Sequence, residues 1–273
     1  MHSIQSWTKM KLPSRWFSKI LRIFLQNLPV RFLQHLRLEV DFTLGFGSGT
    51  GNGILTFEDE LKFLKSIAKK PVNVIFDVGA NRGFWSQSAM SAFPQATVYA
   101  FEPNPLIFDE LDSLELLKSR GKAYMNGFGS EEEERILHFN SDLSLVGSLI
   151  DPELSYAINN LQKPVQIFRM DDFILRHNLP FPDFIKVDVE GWEFQVILGL
   201  GLRLSEVKYI QFEISEGTLL AHSSFSKIQS LLIANQFRIF RHSPIGLIEV
   251  RNQNIYNENY RTTNYLAINK VDA

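Results

Sequence analysis

The segment that most constrains the fold is a strand-like run that ends in an acid and continues into two glycines. It reads Asn73-Val-Ile-Phe-Asp-Val-Gly-Ala-Asn-Arg-Gly83. A second β-prone run, Thr97-Val-Tyr-Ala-Phe101, is followed directly by Glu102. Strand, glycine turn, helix, strand and acid in this order are typical of a nucleotide-binding α/β domain. The segment therefore predicts a cofactor site beyond the ends of two neighbouring strands.

The spacing of the glycines separates two classes of cofactor. Asn81 replaces the second glycine of the dinucleotide fingerprint Gly-x-Gly-x-x-Gly. Asp77, an acid two residues before Gly79, favours S-adenosylmethionine (SAM) over NAD. An NAD-type oxidoreductase on a similar fold is the alternative enzyme, and a non-catalytic membrane-docking protein is a third hypothesis.

A third strand-like run, Phe184-Ile-Lys-Val-Asp-Val-Glu-Gly-Trp-Glu193, also ends in acids and a glycine. Taken with Phe76-Asp-Val-Gly-Ala-Asn-x-Gly83 and Phe101-Glu-Pro-Asn-Pro105, it resembles the FkbM family of SAM-dependent methyltransferases. The resemblance covers roughly residues 54–270. It implies SAM as cofactor and O-methylation of a hydroxyl on a sugar, a glycan or glycolipid, or a natural product.

The resemblance also implies which residues bind the cofactor. Asp77, Gly79, Asn81 and Gly83 would form the SAM loop, with Asp77 near the amino-acid part of SAM, directly or through water. Glu102 is expected to accept hydrogen bonds from both ribose hydroxyls. Asn126 lies where adenine would be recognised, although an Asn after a strand is as often a turn residue.

The catalytic candidates follow the fourth predicted strand. Asp188 and Glu190 are two residues apart, so in a strand both carboxylates face one side, where one acts as base and the other orients the acceptor. Lys186 shares that side, either as a charge partner that tunes the acids or as a salt bridge that holds the strand end. A divalent cation held by Asp188, Glu190, Glu213 and His222 is the minority alternative.

Strand and helix patterns alternate from residue 72 onward. They predict a doubly wound, Rossmann-like α/β domain with a mostly parallel sheet of seven strands. Two late strands, over 237–241 and 264–269, are expected to provide an antiparallel edge strand. Residues near 135–140 and 165–168 are expected to form strands of an inserted hairpin or of a sheet edge. Thr56 is expected to cap the helix that leads into the first strand. We divide the chain into a basic helical extension (1–40), a Gly-rich linker or lid (41–53) and a methyltransferase domain (54–273).

Charge is unevenly distributed along the chain. Residues 1–38 carry seven Lys and Arg and no acid, whereas the rest carries 21 basic and 30 acidic residues. The acidic body argues against nucleic-acid binding. Over residues 14–28 the basic segment has an apolar stripe at helical spacing, which favours either an anionic membrane surface or packing on the domain edge.

No apolar stretch reaches the roughly 20 residues needed to span a bilayer, and we expect no signal peptide. The chain contains no cysteine, which excludes thiolate catalysis and Cys-ligated zinc and fits a reducing compartment. These features predict a cytoplasmic protein, peripheral to the inner face of the membrane if the basic segment binds lipid.

Overall fold

The computed structural model describes residues 15–48, 55–139, 147–149, 161–251 and 257–271. In chain order the strands are β1 (Val74–Val78), β2 (Thr97–Phe101), β3 (Gly121–Tyr124), β4 (Gly127–Gly129), β5 (Glu133–Phe139), β6 (Gly147–Ser148), β7 (Leu161–Arg169), β8 (Phe184–Val187), β9 (Tyr209–Ile214), β10 (Phe237–Arg241), β11 (Ile248–Glu249) and β12 (Thr263–Asn269).

The α-helices are α1 (Arg15–Leu25), α2 (Val30–Thr43), α3 (Phe57–Ile67), α4 (Phe84–Ala92), α5 (Pro105–Ser113), α6 (Glu115–Arg120), α7 (Met170–Arg176), α8 (Glu193–Leu198), α9 (Glu216–Leu220) and α10 (Phe225–Ala234). A 3-10 helix covers Gly201–Glu206, just before β9.

The main sheet has eight strands in the order β11-β10-β12-β9-β8-β1-β2-β3. Strands β3, β2, β1, β8 and β9 pair in parallel, so their carboxyl ends meet at one edge of the sheet. We refer to this as the catalytic edge, because the catalytic candidates predicted from the sequence follow these strands. Chain order reverses between β1 and β8, which makes their ends the point where ligands bind in doubly wound folds. The predicted fold class is confirmed.

The position of the antiparallel strand differs from the expectation. β12 pairs antiparallel with both β9 and β10 and therefore lies inside the sheet, whereas the two-residue β11 occupies the edge as an eighth strand. All seven residues of β12 are buried, as a strand between two neighbours requires. The long segment between β10 and β12 allows the chain to return past β10, so that β12 pairs with β10 on one side and with β9 on the other.

A second sheet of four strands, in the order β4-β7-β5-β6, covers one side of the catalytic edge. β5 and β7 pair antiparallel, so residues near 135–140 and 165–168 form strands as predicted, but β6 lies between them in the chain and they are not a simple hairpin. Buried aromatic residues join the two sheets, with Phe128 of β4 packed against Phe101 of β2 at 4.7 Å between ring centroids. The small sheet thereby supplies a wall to the space beyond β1 and β2.

The N-terminal segment forms two helices rather than one continuous element. No residue of α2 is buried, and most large apolar residues of α1 are exposed. Contact with the domain is made at the end of α2, where Asp41 and Phe42 reach Arg261. By contrast, Phe46 and Ser48 of the predicted Gly-rich linker are buried against the domain. Residues 1–14 and 49–53, which belong to the predicted extension and linker, lie outside the described residues. Among the described residues, no helix has the length and apolar character to cross a membrane.

Candidate active site

The glycine loop after β1 is a tight turn with three residues at positive φ. Gly79 and Gly83 both have φ +77° and Asn81 has φ +51°. A Cβ on Gly79 would lie 1.8 Å from the carbonyl oxygen of Asp188, so only glycine fits where the two loops touch. The Gly79 and Ala80 amides both donate to the carbonyl oxygen of Phe101 at 3.0 Å, which ties the loop to β2.

Glu102 lies immediately after β2 and is only 7% exposed. Its carboxylate accepts hydrogen bonds from the backbone amides of Asn81 and Asn104, each at 2.9 Å. Burial raises the pKa of Glu102 to about 7, although these two hydrogen bonds oppose the shift. Each carboxylate oxygen retains a lone pair, which suits acceptance of ribose hydroxyls. Glu102 therefore fixes the shape of the glycine loop and also faces the cavity described below.

Asp77, in contrast, is fully buried and does not line that cavity. One of its carboxylate oxygens accepts from Ser86 Oγ at 2.6 Å, and the other lies 3.3 Å from Lys186 Nζ. Asp77 thus supports the site from behind the loop, and direct contact with the cofactor, one of the two options expected from the sequence, does not fit this geometry.

Lys186 connects the two loops of the site. Its ammonium group lies 3.3 Å from a carboxylate oxygen of Asp188, as it does from Asp77, and donates to the carbonyl oxygen of Gly79 at 3.0 Å. Burial alone would lower the pKa of Lys186, but Asp188 and Asp77 more than offset this and raise it above its ordinary value. Lys186 is therefore a permanent cation that holds the catalytic candidate Asp188 against the cofactor loop.

Asp188 and Glu190 line the same cavity, but not for the reason that their spacing suggested. β8 ends at Val187, and Glu190 has φ +53° in the turn that follows, so strand alternation does not relate the two side chains. The turn itself brings them together. Burial and the neighbouring charge of Asp188 raise the pKa of Glu190 to about 8.

Glu193 shapes this turn and was not assigned a role from the sequence. Its carboxylate accepts from the amides of Val189 and Gly191 at 3.2 and 2.9 Å, and the side chain is 1% exposed. Burial raises its pKa to about 7. The Gly-x-Glu spacing at the end of the third motif was the available signal, because a glutamate two residues after a glycine can bond back to the turn.

A cavity of about 480 Å³ lies over the carboxyl ends of β1, β2 and β8. One end contains Gly79, Asn81, Glu102 and Asn126, and we call it the cofactor end after the sequence prediction. The other contains Lys186, Asp188 and Glu190, and we call it the acceptor end for the same reason. Apolar walls come from several elements: Phe57, Phe84, Trp85, Phe101, Phe128, Leu137 and Trp192. Such a volume suits a cofactor with part of an acceptor. Of the predicted residues, Gly83 and Asp77 support the cavity without lining it.

Asn126 both lines the cavity and behaves as a turn residue. It is 4% exposed, and its side-chain amide donates to the carbonyl oxygen of Gly127 at 3.1 Å. The two interpretations of this residue are therefore compatible.

A buried carboxyl group beside the acceptor end comes from a helix without a site motif. Glu60 of α3 is fully buried and accepts from Gln211 and Asn264 at 2.6 Å each. Burial raises its pKa to about 7. Glu213, next to Gln211 on β9, is also buried, and burial together with Asp188 and Glu190 raises its pKa well above the ordinary range. Glu60 was not predicted as a site residue, and Glu213 was named only for the alternative metal site, because the pairing of β8, β9 and β12 is what brings these groups together.

The minority hypothesis of a metal ion gains no support from this arrangement. Within the described residues, no group of three or more carboxylates and imidazoles is placed to hold a metal ion. His222 follows α9 at φ +52° and does not line the cavity.

The profile described as the methyltransferase FkbM domain matches residues 77–239, which contain every strand end of the cavity. The chain belongs to the FkbM methyltransferase family. Proteins of this family use SAM. The residues at the cofactor end fit that group, because Gly79 lets the loop pass directly against the Asp188 backbone and Glu102 presents two carboxylate oxygens to the cavity that can accept from a ribose.

Two curated relatives illustrate the similarity. The hexuronic acid methyltransferase AglP of Haloferax volcanii is 27% identical over 59% of this chain and 63% of that protein. The 2-O-methyltransferase NoeI of Sinorhizobium fredii is 28% identical over 56% of this chain and 68% of that protein. The match to AglP therefore spans less than two thirds of its length. Among solved structures, precorrin-6y C5,15-methyltransferase of Geobacter metallireducens aligns at a TM-score of 0.43 and 13% identity, over 81% of this chain and 94% of that chain.

Proposed function

We propose that this FkbM protein is a SAM-dependent O-methyltransferase that acts on a hydroxyl of a saccharide. One observation carries the proposal: a single cavity joins the glycine loop and Glu102 at one end to Asp188 and Glu190 at the other. A cofactor held at the first end and an acceptor at the second would meet within it. The names of AglP and NoeI, which refer to a hexuronic acid and to 2-O-methylation, support a sugar-like acceptor.

SAM, when bound, supplies an electrophilic methyl group, so most of what the protein must add is positioning. The glycine loop and Glu102 orient the cofactor, and the apolar walls exclude water from the cavity. Asp188 is assigned as the base that accepts the proton lost by the acceptor hydroxyl. The ion pair with Lys186, at 3.3 Å, fixes the orientation of the Asp188 carboxylate.

Glu190 is assigned a different role from Asp188. Because its pKa is raised to about 8, it carries a proton at neutral pH and can donate a hydrogen bond to an acceptor oxygen. This donor is present below about pH 8 and is lost above it. We therefore expect the KM for the acceptor to rise as the pH passes through about 8, while the affinity for SAM stays constant.

Replacement of Asp188 by Asn keeps the shape and removes the proton acceptor, so we expect turnover to fall ~10²–10⁴-fold with SAM binding retained. Glu190→Gln keeps a donor, and it should abolish the rise of KM above about pH 8 with a smaller effect on turnover. Glu216→Gln, an exposed glutamate outside the cavity, is the matched control. The measurements are transfer of labelled methyl groups to source-cell glycans and calorimetric titration with SAM. A folded Asp188→Asn protein with undiminished transfer would contradict the assignment of the base.

We also propose that residues 1–38 bind an anionic membrane surface. The support is seven basic residues without an acid, together with exposed apolar side chains on α1, among them Trp16 (72% exposed) and Phe24 (61% exposed). Aromatic anchors beside basic residues are typical of helices that lie in the plane of a bilayer surface. Each basic residue near such a surface contributes about 1 kcal/mol, and salt weakens the attraction.

The measurement for this proposal is flotation with vesicles of anionic or neutral lipid. The full chain should float with anionic vesicles at low salt, and less at high salt. A chain that begins at residue 39 should stay in solution and bind SAM equally well. If both chains float to the same extent, the segment is not the membrane-binding element.

A further inference from the structure

The two N-terminal helices, which we call the arm, meet the domain through residues 44–48, which we call the arm root. Just before the root, Asp41 and Phe42 at the end of α2 both contact Arg261. Arg241 Nε donates to the carbonyl oxygen of Leu44 at 2.6 Å, and its guanidinium group lies 3.7 Å from the ring centroid of Phe46. The Gly47 amide donates to Thr263 Oγ1 at 3.3 Å. The root is therefore held by backbone, aromatic and polar contacts.

The arm root lies at the catalytic edge. Arg241 is the last residue of β10 and Thr263 is the first residue of the antiparallel β12, which pairs with Ile214 at the carboxyl end of β9. Asp188 follows β8, which is three strand positions from β10 in the order β10-β12-β9-β8. With neighbouring strands about 4.8 Å apart, the root is roughly 15 Å from the acceptor end of the cavity.

From this root α2 and α1 extend without burying their apolar residues. The exposed fraction of the residue is 69% for Val30, 51% for Phe32 and 54% for Ile23. Exposed apolar surface of this extent marks an interaction site in soluble proteins. The occupant that its charge fits is an anionic bilayer, because residues 1–38 carry seven basic residues and no acid beside these exposed apolar side chains.

We infer that the arm holds the catalytic edge against an anionic bilayer, so that the acceptor is a saccharide presented at the membrane surface by a lipid or another membrane anchor. The inference rests on the proposed transfer to a saccharide and adds where that saccharide is met. An arm rooted at the opposite edge would instead hold the cavity away from the lipid.

The orientation can be measured without knowledge of the acceptor. The chain has no cysteine, so one introduced cysteine accepts one dye. Leu219→Cys places the dye on α9, just beyond the carboxyl end of β9, and Leu202→Cys places it on the 3-10 helix before β9. Both leucines are exposed, at 49% and 97%, and neither belongs to the site. Energy transfer to a dye on phosphatidylglycerol vesicles then reports the distance of each edge from the bilayer.

We expect the Leu219 dye to lie closer to the bilayer than the Leu202 dye by about 15–20 Å, the length of a strand of this size. Equal distances, the reverse order, or self-association in place of vesicle binding would overturn the inference. SAM titration of the same labelled proteins is independent of orientation, so a failure of the proposed function is seen separately.

The acceptor class is tested with source-cell membranes and labelled SAM. Label should enter the lipid-extractable fraction, and a chain that begins at residue 44 should lose most of this incorporation while keeping its affinity for SAM. Label found only in water-soluble glycans would overturn the assignment of a membrane-borne acceptor. Absence of label from every fraction, despite SAM binding, would overturn both this assignment and the proposed transfer to a saccharide.

Discussion

Lys186 lies 3.3 Å from a carboxylate oxygen of both Asp77 and Asp188 and is 6% exposed. A buried charge is tolerated only when it is paired, and loss of one partner leaves the others uncompensated. The lysine therefore holds Asp77 and Asp188 in place. Glu102 plays the equivalent part at the cofactor end, since its carboxylate accepts two backbone amides and faces the cavity.

At this scale we predict that Glu102→Ala weakens SAM binding by about 1.5–3 kcal/mol, the usual loss when a charged partner leaves a hydrogen bond. Glu102→Gln should lose less, because one carbonyl oxygen remains to accept. Calorimetric titration with SAM and with NAD is the measurement, and NAD should not bind to any of the three proteins. Parent-like SAM affinity in Glu102→Ala would remove Glu102 from the cofactor site.

Among the elements, α3 does more than lead into β1. Thr56 and Asp59 form a capping box that starts the helix, and Glu60, one residue further, reaches Gln211 on β9 and Asn264 on β12. One buried carboxyl group thus joins α3 to two strands of the sheet beside the acceptor end. Phe57, at the first position of the same helix, lines the cavity.

The raised pKa of Glu60 gives a prediction for stability. Its pKa is about 7 in the folded protein against 4.5 as the ordinary value, so the folded state holds the proton more tightly. The contribution of protonated Glu60 to the free energy of unfolding is fully present below about pH 4.5. It is lost as the pH rises through about 7, and the loss is on the order of 3 kcal/mol.

Glu60→Gln removes the titration, so its unfolding free energy should depend less steeply on pH between about 5 and 7 than that of the parent. Urea unfolding across this range is the measurement. Glu115→Gln, whose side chain is 93% exposed in the parent, should keep the parent slope. Identical slopes for the parent and Glu60→Gln would show that Glu60 does not titrate in the folded protein.

For the whole molecule, the burial of Phe46 and Ser48 indicates that the domain begins earlier in the chain than residue 54, the boundary expected from the sequence. Residues 45–48 were expected to belong to a linker or lid over 41–53, but Phe46 is 7% exposed and packs under Arg241. We propose that the independent body begins near residue 44, with the arm before it.

Two shortened chains test this boundary. A chain that begins at residue 44 should have an unfolding free energy within about 1 kcal/mol of that of the full protein, because α2 buries none of its residues and the truncation loses only the partly exposed contacts of Asp41 and Phe42 with Arg261. A chain that begins at residue 54 loses the Phe46 packing and the Arg241 hydrogen bond, and should be less stable by about 2–4 kcal/mol. Urea unfolding of both distinguishes the cases, and equal stability would return residues 45–48 to the linker.

Local sequence alone determined the features that depend on neighbouring residues. Short-range sterics and hydrogen bonding explain the glycines at positive φ after a buried strand, the acid at the next strand end, the Thr56 cap and the alternation of strand and helix. Together these features predicted the cofactor end. The third motif also gave Lys186, Asp188 and Glu190 as catalytic candidates, although a turn and not strand spacing brings Asp188 and Glu190 together.

Only the tertiary structure decided what depends on distant segments. The insertion of β12 between β9 and β10 places Asn264 beside Glu60, some 204 positions away in sequence, and seats the arm root at the catalytic edge. The burial of Asp77 behind Lys186 and the raised pKa of Glu190 likewise depend on which strands become neighbours. Strand order and burial are set by packing of the whole sheet, and no single segment carries that information.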